Sequence, residues 1–366
     1  MGRVFAMRLR VAARVGAGLA LLASAAGAFA QTPITPSTAD GATTTPVYRE
    51  VVDETGRTVR IPQQVRRIVS LAPSITETIY ALGLQDRLVG DTDYCDYPPE
   101  AQQKPKVGGA INPSIEEIAH LRPDLVLVTK SLNRLETVHA LENLGIASYA
   151  TDPQTVGGII SSTQRLAEVL GAAEAGNALA KELQNRLEDL RRRIATAKPI
   201  SVLFVVWTEP LISIGKDTFI ADALQHAGAV SIVDSAQSWP QINLEEVARL
   251  QPEFLVFAAA HAETRPPDFA GLSALPGWRI LNAVKNRKYA VVSDAVNRPA
   301  PRIVSAIEDL ARQLHPANFE ENPENEKEKP GATPAMPPGM PPAGGRTQAA
   351  QLNFAKLDLQ ESVCNR

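Results

Sequence analysis

The stretch 115–128, IEEIAHLRPDLVLV, recurs as 244–257, LEEVARLQPEFLVF, without a gap and at a constant offset of 129. Glu116 and Glu245, Glu117 and Glu246, Ala119 and Ala248, Leu121 and Leu250, and Pro123 and Pro252 are identical pairs, and most other positions exchange like for like. In each copy the opening residues space apolar side chains as a helix does. A proline then blocks continuation, and an apolar run rich in Val and Leu reads as a buried strand. Short-period solenoids repeat every few tens of residues. An offset of 129 predicts instead two similar α/β lobes with central sheets and a ligand space between them.

Outward from the repeat, the chain has a secretory profile. Residues 1–30 carry Arg3, Arg8, Arg10 and Arg14 without an acid, then an apolar stretch from Val15 to Ala26, and end in Ala28-Phe29-Ala30. This reads as a signal peptide, too short in its apolar part for the roughly 20 residues of a membrane span. Gln31 follows, so no lipid-anchoring cysteine is expected there. Without that segment 33 Lys and Arg face 40 Asp and Glu, and the basic residues are scattered and not interleaved with aromatics, which argues against a nucleic-acid partner. Cys95 and Cys364 are the two cysteines, and the sequence leaves open whether they pair. His120, His139, His226, His261 and His315 lie too far apart to suggest a metal site.

Residues 31–46, rich in Pro and Thr, read as a disordered linker, and 319–366 as a low-complexity tail. Between them the expected units are an N-terminal lobe over 47–171, an interdomain helix over 172–197 and a C-terminal lobe over 198–318. Tyr48 to Pro62 has the alternation of a hairpin turning at Glu54-Thr55-Gly56. RRIVSLAPSITETIYALGL predicts a strand, a turn and a helix, with Ser74 and Glu77 as a capping box and Gly83 as the stop. Leu179, Leu183, Leu187, Leu190 and Ile194 give the 172–197 helix one apolar face. Such a helix is roughly 39 Å long, enough to run the height of both lobes, and as a stiff connector it predicts restricted closure.

Aromatic residues collect in the loops that leave the strands: Tyr94 and Tyr97 in lobe one, Trp207 and Trp239 in lobe two. Flat amphipathic rings on loops suit a broad, partly apolar ligand. Trp278, after Pro276-Gly277, is expected in the core instead. Asp294 and Arg298, at and beyond the end of a strand, are candidates to hydrogen-bond a ligand. Catalysis finds little support: GxSxG is absent, and Gly215-Lys216 lacks the phosphate-loop spacing. Each acidic pair, Glu116-Glu117 and Glu245-Glu246, opens a helix, where carboxylates suit the dipole. One pair per lobe suits docking better than an acid–base dyad.

With RRIVSLAPSITETIYALG, DYCDYPPEAQ, IEEIAHLRPDLVLV, SWPQINLEEVARLQPE and SDAVNRPAPRIV in this order, residues 48–316 resemble the substrate-binding proteins of ABC importers for cobalamin and iron-siderophores. The resemblance implies the class III periplasmic fold, two α/β lobes with parallel sheets joined by one long helix. It also implies a periplasmic monomer without catalysis or cofactor, with cobalamin or a related corrinoid as the transported ligand and an ABC permease dimer with its ATPase as partner. Within the family the chain looks most like the cobalamin branch. Tyr94, Trp239, Asp294 and Arg298 match that branch's ligand contacts, and Trp207 stands next to the place of a contacting phenylalanine. Ala110 replaces a tryptophan of that branch. Glu116 and Glu245 match glutamates that meet arginines of the permease. An iron-siderophore or haem carrier is the alternative within the class, and a secreted hydrolase the alternative outside it.

Overall fold

A computed structural model describes residues 47–259 and 269–320. The readings of the signal peptide, the leader, His261, Cys364 and all but the first residues of the tail fall outside that range. The described chain opens with the expected hairpin, β1 (Tyr48–Val52) against β2 (Thr58–Pro62), antiparallel with Val51 opposite Val59. Its turn is fastened by Asp53, whose buried carboxylate accepts the backbone N–H groups of Thr55 and Arg57 and the Thr55 hydroxyl.

The N-terminal sheet comprises β3 (Ile68–Ser70), β4 (Leu88–Gly90), β5 (Leu125–Thr129) and β6 (Ser148–Thr151), in the order β4-β3-β5-β6 with every pair parallel. Between them run α1 (Pro73–Ala81), α2 (Ile115–His120) and α3 (Leu135–Asn143). Two further helices, α4 (Val156–Val169) and α5 (Ala173–Arg193), lead to the second lobe. There β7 (Ile200–Val205) is followed by a short hairpin, β8 (Trp207–Thr208) and β9 (Leu211–Ile212). Next come α6 (Phe219–His226), β10 (Ala229–Ser231), α7 (Leu244–Leu250), β11 (Phe254–Ala258), α8 (Phe269–Ala274), α9 (Asn282–Lys285), β12 (Tyr289–Val292) and α10 (Ile303–Leu314). The second sheet, β10-β7-β11-β12, is again all parallel.

The two sheets thus share one strand order, and the repeat holds to the residue. β5 and β11 stand 129 positions apart at both ends, and α2 and α7 begin 129 apart. Arg122 and Gln251, also equivalent, each adopt a left-handed backbone (φ 45° and 47°) just before the repeated proline. Both sheets are covered on both faces, so successive strand residues enter opposite layers. Val202 and Phe204 pack with α5 and α10, while Leu203 and Val205 pack with Val247 and the buried Trp278. That two-sided burial is why these strands are apolar runs without alternation.

The connector is a pair of helices. Val156, Ile159 and Ile160 at the start of α4 belong to the core of the second lobe, and Leu166, Ala167 and Val169 at its end belong to that of the first. The stretch read as a helix over 172–197 is helical from Ala173 to Arg193, about 32 Å at the standard rise. It sends Leu183 and Leu190 into the second lobe's core. Both helices therefore straddle the junction, which stiffens it beyond what one helix would. The start of α1 differs from the sequence reading. Ala72 is its N-cap without a side-chain bond, and Pro73 sets the first turn, so Ser74 and Glu77 form no capping box. Gly83, at φ 71°, ends the helix as expected.

The α4–α5 contact yields a test in which two opposite signs are expected. A Cβ on Gly176 would stand 2.4 Å from the Cβ of Ala167, whereas one on Gly157 meets nothing within 4 Å. Gly→Ala in an open helix stabilises by up to about 1 kcal/mol. Gly157→Ala should show a few tenths of this near the helix start, while Gly176→Ala should destabilise by about 1–3 kcal/mol through overpacking. Urea denaturation of both variants checks the signs, and a stabilised Gly176→Ala protein would rule out the close helix contact.

Candidate functional site

Open parallel sheets bind ligands outside the carboxyl ends of their strands. In the first lobe the loops at those ends run from Leu71 after β3, from Asp91 after β4 and from Lys130 after β5. In the second they are the β8–β9 hairpin after β7, residues 232–243 after β10 and residues 293–302 after β12. Ion pairs show that the two sets face each other. Glu77, in α1 of the first lobe, is 4% exposed and accepts from two arginines of the second. Arg298 Nη1 donates to its Oε1 at 2.8 Å, and Arg302 donates through Nε to Oε2 at 3.0 Å and through Nη2 to Oε1 at 2.9 Å.

Asp96, in the loop after β4, lies 2.8 Å from Arg298 Nη2, and Asp294 pairs with both arginines. The ring of Tyr97 lies under the Arg302 guanidinium, 3.9 Å from its centroid. Burial works against the charge of Arg298 and of Arg302. Hydrogen bonds and attraction to Glu77, with Asp96 for Arg298 and Asp294 for Arg302, outweigh it and raise both pKa values above the ordinary range. Asp294 and Arg298 thus sit at the lobe junction, with Arg298 largely committed to acidic partners. Glu77, Asp96, Tyr97 and Arg302 complete the cluster, and the sequence reading missed their part in it. Spacing carried no signal for them, because the 3-10 turn ends at Asn297, Arg298 is extended, and Pro299 and Pro301 bar a continuous helix through Arg302.

The aromatic candidates stand in solvent: Tyr94 is 46% exposed, Trp207 55% and Trp239 52%. The two indoles share one ribbon of chain. Trp207 pairs with Ile212 across the hairpin, Ile212 bridges to Gln241, and Ser213 and Gly215 donate to the carbonyls of Pro240 and Ser238. Only glycine fits at 215, because a Cβ would stand 1.9 Å from the Gln237 oxygen. The Trp207 indole N–H donates to the Glu209 carbonyl at 2.8 Å, which fixes the ring. On the other lobe Tyr94 rides on a loop tied down at its base. Lys106 bridges Asp91 at 2.7 Å, and the buried Cys95 sulfur is bonded by Thr76 and Thr92. Burial, opposed by Lys106, pushes the Asp91 carboxyl up to about 6.

Glu116 and Glu245 are exposed in the first turns of α2 and α7, whose N-caps Ser114 and Asn243 accept from the N–H groups of Glu117 and Glu245. Beside Glu245, the β8–β9 hairpin, Asn243, Leu244 and Leu275–Trp278 enclose a groove of about 770 Å³ on the second lobe. Among the described residues no three His, Cys, Asp or Glu side chains are grouped as a metal site.

The family model described as "Periplasmic binding protein" matches residues 68–295. The vitamin B12-binding protein of Vibrio cholerae serotype O1 is 32% identical over 256 residues, spanning 69% of this chain and 90% of that protein. Among solved structures, the periplasmic vitamin B12-binding protein of Vibrio cholerae superposes with a TM-score of 0.61 at 30% identity, over 70% of this chain and 99% of that one. The periplasmic heme-binding protein of Roseiflexus sp. RS-1 in apo form gives a TM-score of 0.61 at 25% identity, over 69% and 99%.

The junction cluster makes a stability prediction. Truncating one partner of a buried ion pair strands the others and costs about 3–5 kcal/mol. Glu77→Ala should therefore lower the free energy of unfolding by about 3 kcal/mol, whereas removal of the exposed Glu116 should cost less than about 0.5 kcal/mol. Equal urea midpoints for the two variants would refute the structural weight given to Glu77.

Proposed function

We propose a corrinoid as the cargo of this chain, which belongs to the periplasmic binding protein family and is the periplasmic substrate-binding component of an ABC importer. Membership makes it a transport protein and not an enzyme, and what it binds is cargo rather than cofactor. The observation that carries the corrinoid reading is the set of exposed rings on facing loops, Tyr94 from one lobe and Trp207 and Trp239 from the other. A broad macrocycle with apolar faces and an amide-bearing rim fits between such rings, its rim within the chemistry of Asp294 and Arg298. The cobalamin-binding relatives, at 30% and 32% identity, support the same choice.

A haem carrier is the second reading. It rests on Tyr94, since an exposed phenol is an iron ligand for haem, and on the heme-binding relative at 25% identity. The two readings separate on one atom. Tyr94→Phe should leave cyanocobalamin affinity within about three-fold, because the ring remains, and should abolish haem binding if haem is the cargo.

One molecule of cyanocobalamin per monomer should quench the fluorescence of Trp207 and Trp239. Trp239→Ala should weaken binding by about 2 kcal/mol or more, the loss typical of an aromatic anchor. Unchanged affinity in that variant removes Trp239 from the site, and tight binding of haem with none of cyanocobalamin replaces the first reading by the second.

Glu116 and Glu245 serve the permease in this reading. Equivalent places in the two lobes make them two similar anionic points, matched to a two-fold dimer with two basic sockets. Exposed charges of this kind steer and dock. Replacing both by Ala should leave cyanocobalamin affinity in solution unaltered and cut uptake in cells, and a loss of affinity with an intact circular dichroism spectrum would refute docking.

A further inference from the structure

Asn133 spends its whole side chain on three loops of the candidate site. It follows β5, and its Oδ1 accepts the N–H of Thr129 at 2.7 Å. Its Nδ2 donates to the carbonyl of Leu71 at 2.9 Å, where β3 passes into α1, and to that of Ala110 at 2.8 Å, in the loop before α2. Its own N–H donates to the Thr129 carbonyl at 2.9 Å. A primary amide offers two donors and an acceptor in one plane, and here all are used on backbone. No aspartate, leucine or serine can reproduce that set.

The loops it joins carry apolar side chains into solvent. Leu132, the preceding residue, is 39% exposed, and Ile111, next to Ala110, is 40% exposed, while Ala110 itself is buried at 3%. Gly109 lies against Tyr94, since a Cβ there would stand 3.8 Å from Tyr94 Cε2. Tyr94, the 109–111 strip and Leu132 are therefore neighbours at the carboxyl ends of the first sheet. Single exposed apolar residues are ordinary, but a group of them brought together on stapled loops at a sheet's carboxyl end makes a candidate binding surface.

We propose that Ile111 and Leu132 form, with Tyr94, the first lobe's contact wall for the cargo's apolar face, and that Asn133 is its positioning residue. This rests on the cleft reading above and extends it. The wall against the indoles of the second lobe is mainly aliphatic, so it tolerates projecting groups that a second flat indole would exclude. The cargo class it fits is a macrocycle carrying a substituent above its plane.

The test is a set of affinities for cyanocobalamin and for haem, read by fluorescence on the full mature chain alongside melting curves. Leu132→Ser and Ile111→Ser should each weaken the bound probe about ten-fold with unchanged melting, since both side chains are already half in water. Leu144→Ser, at a leucine 56% exposed in the turn after α3 and away from these loops, should leave affinity alone. Asn133→Asp keeps the shape but loses both donors, and it should weaken binding by a similar factor. Its loss should be non-additive with that of Leu132→Ser, because the second change removes the contact that the first displaces. Additive losses, or losses in Asn133→Asp that follow the melting temperature alone, overturn the positioning role. Wild-type affinity in both serine variants overturns the wall. If haem binds and cyanocobalamin does not, the corrinoid reading fails while the same variants, scored on haem, still decide the wall. A wild-type chain that binds neither probe overturns both.

Discussion

The structure depends on one buried carboxylate, Glu77, whose partners come from the other half of the molecule. Taking an ionised carboxylate out of water costs several kcal/mol even after relaxation, and nothing within α1 repays it. Repayment comes from Arg298 and Arg302, through three guanidinium hydrogen bonds of 2.8–3.0 Å. Those bonds exist only when the lobes stand at one separation. The cluster therefore stabilises less by its net energy, which desolvation mostly consumes, than by making every other separation worse. Asp96 and Tyr97 extend the same constraint to the loop that carries Tyr94, so the width of the cleft and the placement of its first-lobe ring are fixed together.

The helical connector acts in the same direction by a different means. A hinge needs a few residues that absorb large backbone changes without breaking packing. Here α4 buries one end in each lobe's core, and α5 lies along it with Gly176 against Ala167. Swinging the lobes apart would expose apolar surface from both helices as well as the ion cluster. The amplitude of motion is thus expected to be small, with the cleft shaped in advance and cargo recognition resting on its walls rather than on enclosure.

Much of this was legible in the sequence because it is local or periodic. The hairpin, the core strands and the helix from Ala173 follow from patterns a few residues long, and the 129-residue offset turned one α/β unit into two lobes. The left-handed Arg122 and Gln251 show how far the repeat extends, since no propensity favours that backbone at either residue. The misreading of Glu77 is instructive. A serine three residues before a glutamate at a helix start satisfies the local rule for a capping box, but Pro73 and Ala72 had already closed the turn. The carboxylate was reserved for arginines more than 220 residues away, a separation no window of sequence can see. Asn133 escaped notice for the same reason, its partners Leu71 and Ala110 being distant in the chain. The shared burial of the connector helix α4 between two cores has no signature beyond an ordinary amphipathic face.

One side chain links the cargo reading to the lobe junction. Arg298 has five N–H groups, and its Nη1 and Nη2 ends already face Glu77, Asp96 and Asp294. A cargo amide that accepts from Arg298 must take a remaining N–H or compete with an aspartate for one already engaged. In the first case the cluster holds the guanidinium still, and the cargo gains a donor whose ordering cost was met on folding. In the second, binding loosens the tie between Asp96 and the second lobe, and so loosens the loop bearing Tyr94. Glu77 is not exposed to that competition, because it is buried and bonded by Arg302 as well. Its bond to Arg302 keeps the lobes in register while Arg298 exchanges partners, which makes a pair of arginines four residues apart more serviceable at this junction than one.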